Sequence, residues 1–273
     1  MSETTSRTAA PRAGDVAAPN MQAETGREIW TEGVHVDTYA TRELRPVEVT
    51  LLLRYRDAFA GRVLEIGCGA GRVSGYVADI AAQATGIDVS QAMVDYCQQR
   101  YPRGTFQLGD LRQLSGLPDS AFDVVFPSFN VIDVLDDEER GRAFDEIHRM
   151  LVPGGLAIIS AHNRDAHVEG PFHARRSDPA RFALDLLRMP RRVRNHRRLQ
   201  PFEREEASYA IRNDSAHDFT LLHYYIGRDE GERQLVAHGF EPVEVLDLDG
   251  ASVPSGSRAS HCSELHYVVR RPA

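Results

Sequence analysis

One decapeptide constrains this chain more than any other stretch. From Val63 to Arg72 it reads Val-Leu-Glu-Ile-Gly-Cys-Gly-Ala-Gly-Arg, an apolar run that stops at three alternating glycines before a new helical pattern begins. That is the order strand, tight loop, helix. Glycine has no Cβ and adopts positive φ at no steric cost, so the loop's backbone amides can approach a ligand closely. The spacing is G-x-G-x-G. A dinucleotide-binding G-x-G-x-x-G would need its last glycine where Arg72 stands, which argues against a nicotinamide cofactor.

With Glu65 on the strand before the glycines, this stretch resembles the first motif of the class I S-adenosylmethionine-dependent methyltransferases. The resemblance implies a Rossmann-like three-layer α/β sandwich with a seven-stranded, mostly parallel sheet. It also implies S-adenosylmethionine as cofactor, bound by Glu65, Gly67, Gly69 and Gly71. The motifs that follow keep the family's order. Val73, Val77 and Ile80 mark a short amphipathic helix, and residues 84–89 form a second strand ending in Asp88 and Val89. Asp88 lies about 20 residues past the glycine loop, where a carboxylate accepts hydrogen bonds from ribose hydroxyls. Its other reading is a helix-start cap, but Ser90 already fills that position.

Residues 105–111 read as a third strand ending Gly-Asp-Leu. The resemblance places Asp110 and the Leu111 amide at the adenine edge, although Gly-Asp is also common in plain turns. A fourth strand, 122–126, leads into Pro127 and Ser128. Ligands bind outside the carboxyl ends of parallel strands, so Ser128 should face the cofactor. Asp136 and Glu139 form a capping-box pattern for a helix that ends near Pro153-Gly154-Gly155. Residues 156–161 then read as a buried fifth strand that delivers His162 and Asn163 to the expected reaction centre. His162 is either a general base or a histidine that shapes the pocket.

The expected organisation is a disordered tail over residues 1–26 and a methyltransferase domain over 27–273, with a lid insertion at 164–227. The tail is rich in Ser, Thr, Ala and Pro without apolar periodicity. Trp30, His35 and Tyr39 precede a helix in which Val47, Leu51, Tyr55 and Phe59 recur at every fourth position. In the resembled family this region folds over the cofactor, which makes Tyr39 either a substrate-pocket candidate or an aromatic packed on the core; Asn163 and Tyr225 are further pocket candidates, Tyr225 reading equally as sheet packing. Within the insertion, Asp178-Pro179 starts a helix that Pro190 should break. The arginines between 188 and 198 read either as an anion site or as a solvated face paired with Glu203, Glu205 and Glu206. A helix over 228–238 and two closing strands resemble the end of the methyltransferase fold.

Composition narrows the partners. The net charge of -8 gives no general field for nucleic acid, and all 32 basic side chains are arginine. Three widely spaced cysteines form no ligand cluster, so no metal is expected and a reducing cytoplasm fits. No apolar run approaches the roughly 18 residues of a membrane span. The expected activity is methyl transfer to an O, N or C nucleophile of a small molecule. The alternatives are an RNA or carrier-bound acceptor and a non-catalytic cofactor-binding subunit. The oligomeric state has no signature in the sequence.

Overall fold

The computed structural model describes residues 36–40, 43–173 and 178–273. The expected tail over 1–26, Trp30 and His35 lie outside the described residues. Five parallel strands form the base of the sheet: β1 (Arg62–Ile66), β2 (Gln83–Asp88), β3 (Thr105–Leu108), β4 (Phe122–Pro127) and β5 (Leu151–Asn163), in spatial order β3-β2-β1-β4-β5. The strand order reverses between β1 and β4. At such a switch point the flanking loops diverge and leave a crevice outside the carboxyl ends of the strands.

Alternate residues of β1, β4 and β5 feed two separate cores. Leu64, Ile66, Val125, Ala157 and Ile159 pack on one face with Phe144 and Ile147 of α4 (Asp137–Met150). Val63, Val124, Phe126, Leu156 and Ile158 pack on the other with Val47 and Leu51 of α1 (Pro46–Arg54) and Val77 of α2 (Ser74–Ile80). Burial of both faces explains why these strands read as continuous apolar runs rather than alternating ones. The capping box is formed: Asp136 Oδ1 accepts from the Glu139 amide at 2.8 Å, and Glu139 Oε2 accepts from the Asp136 amide at 3.3 Å. The helix stops at Met150, and the Pro-Gly-Gly lies inside β5, with Gly154 at φ +80°.

The insertion supplies α5 (Pro179–Leu199), β6 (Arg204–Glu205), β7 (Tyr209–Asn213) and β8 (Leu222–Ile226). After it come α6 (Arg228–Ala237), β9 (Glu241–Leu246) and β10 (Glu264–Arg270). The path β3-β2-β1-β4-β5-β10-β9 contains the seven strands expected, with β10 antiparallel to both its neighbours. Among the described residues the sheet is larger than that, with ten strands, because β8, β7 and β6 join it as well. His162 pairs with Tyr225 of β8 and with Glu264 of β10 at once, so these two strands flank opposite edges of β5. β4 occupies the same edge as β8, pairing with residues 151–157 lower on the strand. The 13-residue length of β5 makes this possible, since it outruns β4 and leaves an edge at its carboxyl end for β8 to cover.

Pro190 does not end its helix. α5 runs through it for 21 residues. A proline deletes a single helical hydrogen bond, and here an ion pair spans the lesion: Arg192 Nη2 donates to Asp185 Oδ1 at 2.9 Å, with Asp185 buried. Arg192 also donates to Asp218 Oδ1 at 3.2 Å. The expected pairing with nearby glutamates is therefore corrected for this arginine, because Glu205 is taken by Arg164 and Arg212.

Candidate active site

The crevice has a glycine side and a histidine side. On the glycine side, Gly67, Gly69 and Gly71 all have positive φ, at +72°, +51° and +75°. The amides of Gly67 and Cys68 both donate to Ile87 O, at 2.8 and 3.0 Å, which ties the loop to β2. A Cβ on Gly71 would enter the ring of Tyr101, whereas one on Gly69 would meet nothing within 4 Å. Gly71 is thus required by packing and Gly69 by conformation at an open face.

Asp88 closes this loop from the end of β2. Its Oδ2 accepts from the Gly69 amide at 2.8 Å and its Oδ1 from the Ser90 amide at 2.9 Å. Burial raises the carboxyl above its ordinary value and outweighs the amide donors. Ser90, the expected helix cap, makes no side-chain cap bond, and its amide donates to Asp88 instead. The Val89 amide also bonds the carboxylate, which keeps part of its lone-pair capacity for a ligand. Val89 follows Asp88 at the strand end, half-buried.

Glu65 is buried beneath the loop and accepts a hydrogen bond from Ser74 Oγ. Burial pushes its carboxyl up to about 7, against the lowering effect of Ser74 and Ser128. Ser128 is fixed by its amide, which donates to Ile66 O at 2.9 Å. Asp110 Oδ1 accepts from the Arg112 amide at 2.9 Å and from Arg112 Nη1 at 3.2 Å, while Leu111 is buried beside it. Arg72, at the end of the glycine motif, forms a forked pair with Glu48 of α1. Arg45 and Arg72 both stack on exposed Phe129, with guanidinium carbons 4.1 and 5.2 Å from the ring centroid.

The histidine side rests on side chains rather than backbone. Asp133, fully buried, accepts at Oδ2 from the His162 amide and binds its ring Nδ1, both at 2.7 Å. Asp133 Oδ1 accepts from Arg140 Nη1 at 2.7 Å. His162 stacks on His223 (ring centroids 4.9 Å apart, planes at 24°) and lies 4.9 Å from the Tyr225 ring. Asp214 Oδ2 takes both His223 Nδ1 and the Tyr225 hydroxyl at 2.7 Å. Burial alone would pull His162 down, but the Asp133 hydrogen bond and charge, with Asp214 behind, hold it above its ordinary value. Burial likewise works against Asp214, whose carboxyl is nevertheless held well below the carboxylate range by the charge and hydrogen bond of His223.

Ligand-type atoms of His162, Asp214 and His223 lie within 4.8 Å of one another. Both Nδ1 atoms are bonded to carboxylates, that of His162 to Asp133 and that of His223 to Asp214.

Tyr39 reaches this side from a short helix (Val36–Tyr39), its hydroxyl 3.2 Å from His217 Nε2. Tyr225 is brought to His162. Asn163 is not a pocket residue: its side chain has no exposure, and its Nδ2 donates to the carbonyls of Arg258, Ala259 and Cys262, each at 3.0 Å. Its Oδ1 accepts from the Asp165 amide at 3.1 Å, so the amide is spent on anchoring a loop. Alternation explains the miss, since successive residues of a strand point to opposite faces. Nothing local marks Arg140 or Asp214, whose partners lie at positions 133, 223 and 225.

A doubly wound sheet with a glycine loop and an acid at the end of β2 defines the class of nucleoside-cofactor-binding α/β proteins. Residues 63–155 match the model of a methyltransferase domain family. Over this stretch the chain resembles a class I S-adenosylmethionine-dependent methyltransferase domain. A probable S-adenosylmethionine-dependent methyltransferase of Mycolicibacterium smegmatis is 39% identical over 128 residues, covering 44% of this chain and 48% of that protein. The trans-aconitate 2-methyltransferase of Delftia acidovorans is 32% identical over 139 residues, half of each chain. The chain thus spans about half the length of these curated relatives. The fold extends further: the Burkholderia thailandensis 1,6-didemethyltoxoflavin-N1-methyltransferase, with 1,6-didemethyltoxoflavin and S-adenosylhomocysteine bound, superposes with TM-score 0.58 at 18% identity, covering 97% of this chain and 95% of that one. Among the described residues, no helix is long and apolar enough to cross a membrane.

Proposed function

We propose that this protein transfers a methyl group from S-adenosylmethionine to a small-molecule nucleophile in the crevice above β1, β4 and β5. The observation that carries the reading is the Gly69 amide held on Asp88 beside a loop face with open space, a cradle that suits a ribose and the chain attached to it. S-adenosylmethionine, when bound, supplies a methyl group on a sulfonium that is already an activated leaving group. The residues of the chain therefore have positioning and proton handling to do.

In this reading Asp88 and Val89 hold the ribose side, Asp110 and Leu111 the adenine edge, and Gly67, Gly69, Gly71, Glu65 and Ser128 the loop beneath the amino-acid portion. His162 is the base. Asp133 fixes the proton on Nδ1, which leaves Nε2 as the ring nitrogen with an open lone pair. Residues 164–227 act as the lid, with Tyr225 and Tyr39 lining the acceptor side. Support for the lid comes from β8, which pairs with β5 at His162 itself.

Calorimetry with S-adenosylmethionine, S-adenosylhomocysteine and NAD tests the cofactor half: saturable heat from the first two and none from NAD is expected. Incubating the protein with labelled S-adenosylmethionine and a metabolite extract, followed by mass identification of the product, tests the transfer. Saturable binding of NAD with no heat from S-adenosylmethionine would overturn the reading.

A further inference from the structure

Histidines 162 and 223 reach the same point from positions far apart in the chain, and each is backed by its own buried carboxylate. His162 has Asp133, and His223 has Asp214. Their rings stack at 24°. Stacked imidazoles tolerate one cation, because the charge of one ring rests on the π-face of the other, whereas two cations at 4.9 Å repel in a dry site.

Charge counting points the same way. The buried set contains Asp133, Asp214 and Arg140 around the two rings. Two carboxylates and one guanidinium leave one negative charge, so a single imidazolium makes the cluster neutral, and burial penalises any departure from neutrality. The other groups facing the rings do not alter this count. Glu264, across β10 from His162, is paired with Arg45, and Arg212, whose guanidinium lies 5.4 Å from the Tyr225 ring, is paired with Glu205. Tyr225 donates its proton to Asp214. His217 is pulled below its ordinary value by burial and then by the charge of His223, which disfavours a further cation there.

We infer that His162 and His223 form one proton-holding unit that carries a single shared proton when the cluster is neutral, with His223, Asp214 and Tyr225 as positioning residues for His162. This rests on the proposed role of His162 as base. It also selects the acceptor. The pair with both imidazoles neutral, one proton short of the neutral cluster, serves a nucleophile that must lose a proton, a hydroxyl or a ring N–H, and not a carboxylate that is already ionised, because taking that one proton brings the cluster to neutrality without making two cations. When such an acceptor reacts, its O–H or N–H bond breaks, the electron pair stays on the acceptor, and the proton forms a bond to His162 Nε2. The positive charge lost at the sulfonium reappears on the imidazole, so the crevice as a whole keeps its charge.

The test is a nuclear magnetic resonance titration of the imidazoles in the full chain without any acceptor. His162→Gln and His223→Phe serve to assign the signals, and Phe preserves the stacked ring. Two steps more than about one pH unit apart are expected in the wild type, each seen at both rings. In His223→Phe the lower step should vanish and the upper one remain at His162. Two rings titrating independently, each with a midpoint indifferent to the other substitution, would overturn the inference. Should His223→Phe fail to fold, the wild-type curves decide alone, since one common midpoint sinks the idea and two coupled ones sustain it. The acceptor class is checked on the labelled product: an ether or N-methyl compound is expected, and an alkali-labile methyl ester would refute it. Failure of the protein to bind S-adenosylmethionine would strike the proposed function and leave the shared proton untouched.

Discussion

The glycine side and the histidine side of the crevice solve the same problem, fixing polar groups at the rim of a sheet, with different materials. The glycine side uses backbone amides from one contiguous stretch, so that Gly67, Cys68 and Gly69 are held by Ile87 and Asp88 about 20 residues on. The histidine side uses charged side chains from positions 133, 140, 162, 214, 223 and 225, and every one of its bonds spans a long separation or crosses elements. A backbone cradle stays in place when one side chain is lost. A buried charge network does not, because removing one member strands another.

That contrast gives an order of effects. The largest is expected for Asp133→Ala, which leaves Arg140 buried without its carboxylate and unties His162 at the same time. A loss of about 3–5 kcal/mol is expected by urea unfolding, with little change in the cofactor affinity of the folded fraction. A loss below about 1 kcal/mol would show that the two sides are built alike.

Asp88→Ala comes next and should act on both the fold and the ligand. The ribose reading alone would leave folding unaltered, but the Gly69 and Ser90 amides also lose their acceptor. Calorimetry should show S-adenosylmethionine weakened by roughly 10- to 150-fold, from the 1.5–3 kcal/mol of hydrogen bonds to a charged group. The ligand-free melting temperature should also fall by a few degrees.

Gly69→Ala sharpens the comparison, because a Cβ there meets no atom and only the left-handed backbone is penalised. A cost of about 1–2 kcal/mol is expected. Gly71→Ala should cost more, since it adds a clash with Tyr101 to the same strain. Equal melting temperatures for the two variants would show that packing at Gly71 is looser than the structure indicates.

The smallest effect is the pH dependence of the histidine side. The folded pKa of His162 is raised above its unfolded value of about 6.5, so its protonated form contributes stability that is fully present below about pH 6.5 and lost as pH rises through the folded value. Asp214 runs the other way: its depressed carboxyl contributes above about pH 3.9, and that contribution is lost only in strong acid. With His162 as the proposed base, turnover would need its neutral ring, so the rate should rise with pH through a midpoint above about 6.5. A rate flat between pH 6 and 9 would remove His162 as the base and leave it a pocket-shaping residue.

The sequence by itself determined the glycine side. Three glycines at alternating positions, Glu65 before them and Asp88 at the next strand end are legible because they lie within one βαβ unit, where spacing along the chain fixes placement in space. It also determined the succession of the first five strands along the chain and the capped helix at Asp136, since both depend on local periodicity and turn chemistry. Tertiary structure decided the rest. The helix that Pro190 should have ended continues because Asp185 and Arg192 bridge it, and β6, β7 and β8 join the sheet because β5 outruns β4. Asn163, one residue past His162, turns away to anchor the 258–262 loop, and His223 arrives from β8 to stack on the His162 ring. Each of these depends on which distant side chain or strand edge is left without a partner, and that is settled only when the elements pack.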